Sequence, residues 1–267
     1  DVDKNNIAVN ILTHEKEIKS MRIPHDAGNL IGYMRKNFSD QKVAFVYEAG
    51  PTGWGLYDQL AKQGYTCLVA APSMVPIAPG ARVKTNRLDS KRLAESLRGG
   101  QLKSIHVPSG PYRELRHLTG LRDAFVRQSS TAKIRIKSLL LFEGVAFPGD
   151  PQGSSWSRNI IAQLKKLPLA NSSVRFKLIS LLDSLEFGSR KVLQAAREIR
   201  RFCQGDAEIK RCLGYLTSIP GIGQITASQL LARLGGWQHL TNVRQVACFL
   251  GLTQAENSTG DSVRRGR

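Results

Sequence analysis

Cysteine is scarce in this chain and metal-ligand spacing is absent. Four cysteines (Cys67, Cys203, Cys212 and Cys248) are spread over 267 residues with no CxxC pair. That distribution excludes a disulfide-dense scaffold and a paired-thiolate metal site, and leaves small buried hydrophobes in a reducing compartment. The five histidines (His14, His25, His106, His117 and His239) are equally scattered, show no ligand spacing and receive no role. No apolar stretch is long enough to span a bilayer, and no signal peptide is evident. The expectation is a cytoplasmic chain without a membrane partner. Acidic residues are the other shortage: 21 Asp and Glu stand against 39 Lys and Arg, a formal charge of +18. Such an excess favours a polyanion, and nucleic acid is the obvious one.

What is present describes a folded chain of two or more domains. Hydrophobic residues make up 41% and charged residues 22%, values of a globular protein and not of a disordered one. Residues 1 to about 108 alternate strand-like and helix-like segments. Ile7–Leu12, Glu17–Ile23, Val43–Tyr47 and Thr66–Ala71 read as strands; Ala27–Phe38, Gly55–Gln63 and Asp89–Leu97 read as helices. The pattern predicts an α/β fold, and the hairpin-linked first two strands make its sheet a mixed one, as in ribonuclease-H-like folds. From Pro111 to about Val145, and again from Val174 to Phe202, the periodicity is helical. Leu115, Leu118, Leu121 and Phe125, extended by Ile134 and Leu141, mark the apolar face of the first helix. Leu178, Leu181, Leu182, Leu185, Val192 and Ile199 mark that of the second. Between them lies a loop rich in Pro, Gly and Ser (148–157). Two such helices suggest an antiparallel stalk or an oligomer interface, with packing on their own domain as the alternative. A helical run to Leu234 and a further helix over Trp237–Leu250 complete the reading, which contains no convincing internal repeat.

Three constellations carry possible chemistry. Glu48 ends the apolar run Val43–Tyr47 just before Ala49-Gly50-Pro51-Thr52-Gly53, so its carboxylate sits at the C-terminal end of a strand, where open α/β sheets hold ligands. Asp89 opens a helix after Arg82-Val83-Lys84-Thr85-Asn86-Arg87-Leu88, and Asp1 and Asp3 stand at the start of the chain. Separated carboxylates of this kind can converge on hard divalent cations, although Asp89 can equally be a helix cap. Second, Ile219-Pro220-Gly221-Ile222-Gly223 between helices reads as a hairpin whose glycines and following amides take a phosphate, or as a plain tight turn. Third, Ser258, in a loop before Gly260 and the basic cluster Arg264, Arg265 and Arg267, reads either as a nucleophile with its phosphate clamp or as a solvated polar tail.

In order along the chain stand Tyr47-Glu48-Ala49-Gly50-Pro51-Thr52-Gly53-Trp54-Gly55-Leu56-Tyr57, Ala71-Pro72-Ser73, Pro79-Gly80-Ala81-Arg82-Val83-Lys84-Thr85, Ser218-Ile219-Pro220-Gly221-Ile222-Gly223, Gly251-Leu252-Thr253 and Asn257-Ser258-Thr259-Gly260. Together these resemble the DEDD-type insertion-sequence transposases related to the Piv DNA invertases, some of which are RNA-guided recombinases. The similarity covers nearly the whole chain.

The resemblance implies a RuvC-like, ribonuclease-H-fold domain at 1–108, a long helical linker or coiled-coil stalk at 109–205, and a helical transposase domain with a helix-hairpin-helix and a serine loop at 206–267. It implies Mg2+ held by four acidic positions: Asp1 matches the first, Glu48 the second and Asp89 the last. Asn86 falls at the third, as an amide that can ligate but brings no charge. Ser258 matches the nucleophile that forms a phosphoserine with DNA, the serine and the RuvC-like domain coming from different protomers. Arg82, Lys84, Arg87, Gly221, Ile222, Gly223, Arg264 and Arg265 are assigned to nucleic acid. The implied partners are DNA, a guide RNA, and further copies in a dimer or tetramer. The competing readings are a RuvC-like nuclease using metal-activated water, and a nucleic-acid-binding remnant decayed at Asn86. Both ends, where relatives continue, read as trimmed.

Overall fold

The computed structural model describes residues 1–13, 16–76, 85–149, 156–254, 256–260 and 262–266, and of 256, 257, 264 and 265 the backbone alone. The chain divides into two compact units, Asp1–Val107 and Pro108–Arg267.

In the first unit β1 (Asn6–Leu12) and β2 (Glu17–Pro24) form an antiparallel hairpin, with Ile7 opposite Ile23 and Val9 opposite Met21. Helix α1 (Ala27–Asn37) starts where the Asp26 carboxylate accepts from Gly28 N at 2.9 Å, a side-chain cap for one of the unpaired first-turn amides. Its spacing buries Ala27, Leu30, Ile31 and Met34 on one face. Strand β3 (Ala44–Glu48), helix α2 (Gly55–Lys62) and strand β4 (Thr66–Ala70) follow as a βαβ unit, with β3 and β4 parallel and Glu48 opposite Ala70. The crossover from Ala49 to Tyr65, with α2 inside it, is long enough to return the chain parallel to β3. Tyr47, Leu60 and Val69 are buried in the core with α1. Helix α3 (Asn86–Arg98) packs against β1 and β3, and Lys91 reaches Glu17 on β2 at 2.9 Å.

The expectation of one mixed sheet is corrected. Among the described residues β1–β2 and β3–β4 are separate two-stranded ladders. A cavity of about 710 Å³ lies between them, lined by Ile7, Val9 and Ile11 of β1 and by Phe45, Val46 and Tyr47 of β3. Residues 1–2 bond to the start of β1 through Asp1–Ala8 and Val2–Ile7, and among the described residues β1 and β3 line that cavity without pairing with each other.

The second unit is helical. α4 (Gly110–Phe142) and α6 (Ser172–Gly205) are 33 and 34 residues long, each about 50 Å at 1.5 Å per residue. Tyr112 and Leu115 share a core with Ile199 and Cys203, whereas Ala132, Ile136 and Leu140 share one with Leu178, Leu182 and Leu185. Early positions of one helix therefore meet late positions of the other, and the pair runs antiparallel within the chain. Leu121, Ile134 and Leu141, expected on the apolar face of α4, are 50%, 65% and 82% exposed. α5 (Arg158–Lys165) buries Leu164 beneath this pair. α7 (Ala207–Thr217), capped by Asp206 on Ile209 N, and α8 (Gln224–Leu234) pack on the first of these cores. The helix expected over Trp237–Leu250 is shorter: Gly235 closes α8 at φ 70, and α9 spans Val243–Phe249 behind an Asn242 cap. β5 (Glu256–Thr259) and β6 (Ser262–Arg265) form a terminal hairpin.

Candidate active site

The acidic positions are placed by the ends of β3 and α3. Glu48 is the last residue of β3 and half-buried. Behind it the Tyr47 hydroxyl donates to Gly53 O at 3.0 Å, and Gly53 adopts φ 67, so the turn after the strand is folded back onto its end. Gly is the residue that takes such an angle without strain. Asp89 does not open its helix. Thr85 does, its hydroxyl accepting from Leu88 N at 3.3 Å. Asp89 therefore sits in the first turn of α3, 9% exposed, with Arg92 Nη1 3.3 Å from its carboxylate. A carboxylate so buried requires that compensation.

Asp1 is tied to β1 by two backbone hydrogen bonds with Ala8, each 2.9 Å. Burial lowers the pKa of its α-amino group, while the Glu48 and Asp89 carboxylates act through space to raise it. The backbone of Asp1 thus lies within electrostatic reach of both acids. Asn86, the first residue of α3, donates from Nδ2 to Asp3 Oδ2 at 3.3 Å. Asp3 was visible in the sequence only as one more acid near the start. Its partnership with Asn86 spans 83 residues, and no local signal announces it.

The donor set is oxygen throughout, which suits a hard divalent cation and not a soft one. Among the described residues, no three acidic, His or Cys side chains stand close enough together to hold one ion. The Glu48 and Asp89 carboxylates both act on the Asp1 α-amino group, and Asn86 bonds to Asp3, but among the described residues no ligand shell is closed. Arg87 is exposed in the first turn of α3. Arg82 and Lys84 lie outside the described residues.

In the second unit, α7 and α8 are joined by a turn in which Ile222 N bonds to Ile219 O at 3.1 Å and Gly221 takes φ 88. The Ile222 side chain packs on the core and anchors the turn. Gly223 opens α8 without any side-chain cap, so no side chain competes for the positive end of the helix. Arg116 on α4, which sequence reading passed over, fixes the other end of α8: Nε donates to Ala232 O at 3.0 Å and Nη2 to Arg233 O at 2.9 Å.

Ser258, expected in a loop, is instead an exposed residue of β5 opposite Val263. A two-residue connection beginning at Gly260, φ 57, joins its strand to β6. Arg264 and Arg265 belong to β6.

Comparison with known proteins matches residues 1–143 to the family of DEDD transposases of the IS110 type, described as "Transposase". Residues 213–267 match "Transposase IS116/IS110/IS902 family". A putative transposase, y4qE, of Sinorhizobium fredii is 30% identical over 227 residues, 84% of this chain and 53% of that protein. The transposase for insertion sequence element IS1533 of Leptospira borgpetersenii is 22% identical over 253 residues, 93% of this chain and 72% of its own. A probable family 20 transposase of Pseudomonas aeruginosa is 25% identical over 210 residues, 78% and 60% respectively. The chain thus spans about half the length of the first of these relatives.

Proposed function

The chain belongs to the DEDD transposase family of the IS110 type, and on that premise we propose that it is a magnesium-requiring DNA recombinase working through a serine nucleophile. What supports the reading is that the Glu48 and Asp89 carboxylates, one at a strand end and one in a first helical turn, both act through space on the Asp1 α-amino group. Asp1–Val107 is then the RuvC-like unit. The α4–α6 pair forms the stalk, and the segment from Asp206 onward forms the transposase domain, with α7, its turn and α8 as a helix-hairpin-helix. On this reading Glu48, Asp89 and Asp1 would hold Mg2+, with Asn86 at the family's third position, although among the described residues these carboxylates do not form a three-ligand group. Bound there, the ion would neutralise a phosphodiester and favour ionisation of an attacking hydroxyl.

The chain's own residues then have distinct tasks. Ser258 Oγ attacks the phosphorus and a phosphoserine bond forms. The P–O bond to the leaving sugar breaks, and that sugar oxygen takes up the proton. Arg264 and Arg265 follow on the next strand and supply the fork-shaped cations that suit a phosphate. The amides of Gly223 and of the first turn of α8 hold a backbone phosphate without reading sequence. Arg82, Lys84 and Arg87 add to this electrostatic hold on DNA. A guide RNA and a dimer or tetramer belong to the same reading, the exposed basic positions of the long helices serving an RNA backbone as readily as DNA.

The test is Ser258→Ala on a plasmid carrying the element ends, with Mg2+ present. Cleavage should drop by about three orders of magnitude or more, the scale of losing a nucleophile. The denaturation-resistant protein–DNA adduct should vanish with it. Cleavage that survives intact sinks the serine chemistry and leaves a nuclease using water.

A further inference from the structure

Tyr215 is an aromatic residue that the fold does not use. It lies in the last turn of α7 and is 62% exposed, although large aromatic rings are normally buried for their area. Its ring centroid is 6.3 Å from that of Trp237, at 40°. Trp237 in turn packs against the core formed by α4, α6, α7 and α8. Trp237, itself packed on the core, thus borders a Tyr215 ring that is mostly open to solvent. Four residues later Ile219, 49% exposed, extends the apolar strip to the glycine turn. Four residues earlier, one helical turn back, Arg211 lines a recess of about 520 Å³ together with Ala207, Glu208 and Gln238. Glu208 there is engaged by the Tyr112 hydroxyl at 3.0 Å and by the Gln238 amide. The face therefore offers, in sequence, a cation, an amide and an exposed aromatic ring.

We propose that Tyr215, bordered by Trp237 and flanked by the Arg211 recess, is a stacking site for an unpaired nucleobase. The inference rests on the nucleic-acid reading above and goes beyond it. Phosphate contacts at the α7–α8 turn treat duplex and single strand alike, whereas an exposed ring beside a cation selects bases that have left the helix. Charge complementarity points to a polyanion as the occupant and not another protein: residues 108–267 hold 24 Lys and Arg against 11 Asp and Glu. Recombination also requires paired bases to separate, so an unpaired base is available to such a site.

The experiment measures the affinity of the full chain for three fluorescein-labelled ligands of equal length: an oligothymidylate strand, an abasic strand with the same phosphates, and a duplex. Wild type should bind oligothymidylate about tenfold more tightly than the abasic strand, the scale of one stacked base. Tyr215→Ala should erase that preference while leaving abasic and duplex binding within twofold. Tyr215→Phe should retain it. The position is exposed, so an unchanged melting temperature shows that folding is intact. An unchanged preference in Tyr215→Ala overturns the stacking site, as does self-association lost in that variant with nucleic-acid binding unaltered. If wild type binds none of the three ligands, the nucleic-acid reading itself falls, a result distinct from either of these.

Discussion

In the proposed site Asn86 brings an amide where a fourth carboxylate would complete a DEDD set, and that amide donates to the Asp3 carboxylate at 3.3 Å. The charge missing at one position stands on its hydrogen-bond partner. Asn86→Asp would place two carboxylates at that spacing, where like charges disfavour joint ionisation unless a cation lies between them. The variant should therefore melt at a lower temperature than wild type in EDTA at pH 7 and recover in 10 mM Mg2+, with a larger Mg2+-dependent rise than wild type shows. A melting temperature indifferent to Mg2+ in both proteins removes Asp3 and Asn86 from the site. Cys67 allows a second prediction, independent of function. Burial pushes its thiol up to about 12 from an ordinary value near 9.0, and the thiolate is the reactive form. At pH 8 iodoacetamide should label the exposed Cys248 first and leave Cys67 intact, as peptide mass mapping would show; equal labelling refutes the burial. The sign of the linkage follows, because the folded state keeps the proton that the unfolded state releases. Stability from this group is full below about pH 9 and is lost as pH climbs toward 12. Of these residues, Glu48 was legible as a strand-end acid and Asp89 as an acid near a helix start, though Thr85 and not Asp89 caps that helix; of the thiols expected as buried hydrophobes, Cys203 and Cys212 are buried, Cys67 is half-buried and Cys248 is exposed. The Asn86–Asp3 pair was not, because a contact across 83 residues leaves no periodicity behind.

At the scale of elements, α4 and α6 approach closely at Gly188. A methyl built there would lie 2.5 Å from Ser129 Oγ and 3.5 Å from Phe125 O, and Ser129 Oγ is buried without a hydrogen-bond partner. Gly188→Ala alone sets a helix-propensity gain of about 1 kcal/mol against overpacking of about 1–3 kcal/mol, and should be destabilising. Ser129→Ala removes the obstructing hydroxyl together with an unsatisfied polar atom and should be neutral or slightly stabilising. The double variant should then exceed wild type, giving a favourable coupling above about 0.5 kcal/mol in urea unfolding. Strict additivity would mean that the helices do not touch there. The stripe on α6 was readable in advance: Leu178, Leu182, Leu185 and Ile199 are buried as their spacing requires. That on α4 was readable at Leu115 and, in part, at Leu118 and Phe125, but not at Leu121, which is exposed. Ile134 follows Phe125 by nine positions, which at about 100° per residue puts it half a turn away. Apolar residues on a long helix do not all belong to one face, and composition cannot say which do. The terminal hairpin was missed for another reason. Short polar strands such as Glu256–Thr259 carry too little alternation to be told from a loop, and only their pairing reveals them.

Across the molecule, charge is distributed less evenly than hydrophobicity. Residues 1–107 hold 15 Lys and Arg against 10 Asp and Glu, whereas residues 108–267 hold 24 against 11. Composition alone raised the expectation of a polyanionic partner. It left strand pairing illegible, since whether β1 and β3 share a ladder depends on backbone contacts that no residue count records; the structure sets a cavity between them. Charge also permits a prediction that needs no knowledge of the target sequence. Each phosphate neutralised by the protein releases counterion, so the logarithm of the duplex-DNA association constant should fall linearly with that of salt concentration, by about 0.9 per phosphate contact. Arg190, Arg197 and Arg200 are exposed along one stripe of α6. Lys36, Lys42 and Lys62 are equally exposed in the first unit. Both triple Gln variants lose the same net charge and leave each core untouched. If the second unit holds the phosphates, the α6 triple should reduce the slope by about 2–3 and the lysine triple by less than 1. Net charge acting at a distance would lower both slopes alike, and that result would deny α6 any direct contact with the backbone. A larger loss in the lysine triple would move the electrostatic footprint to Asp1–Val107, and the phosphate roles assigned to the α7–α8 turn and to β6 would have to be withdrawn.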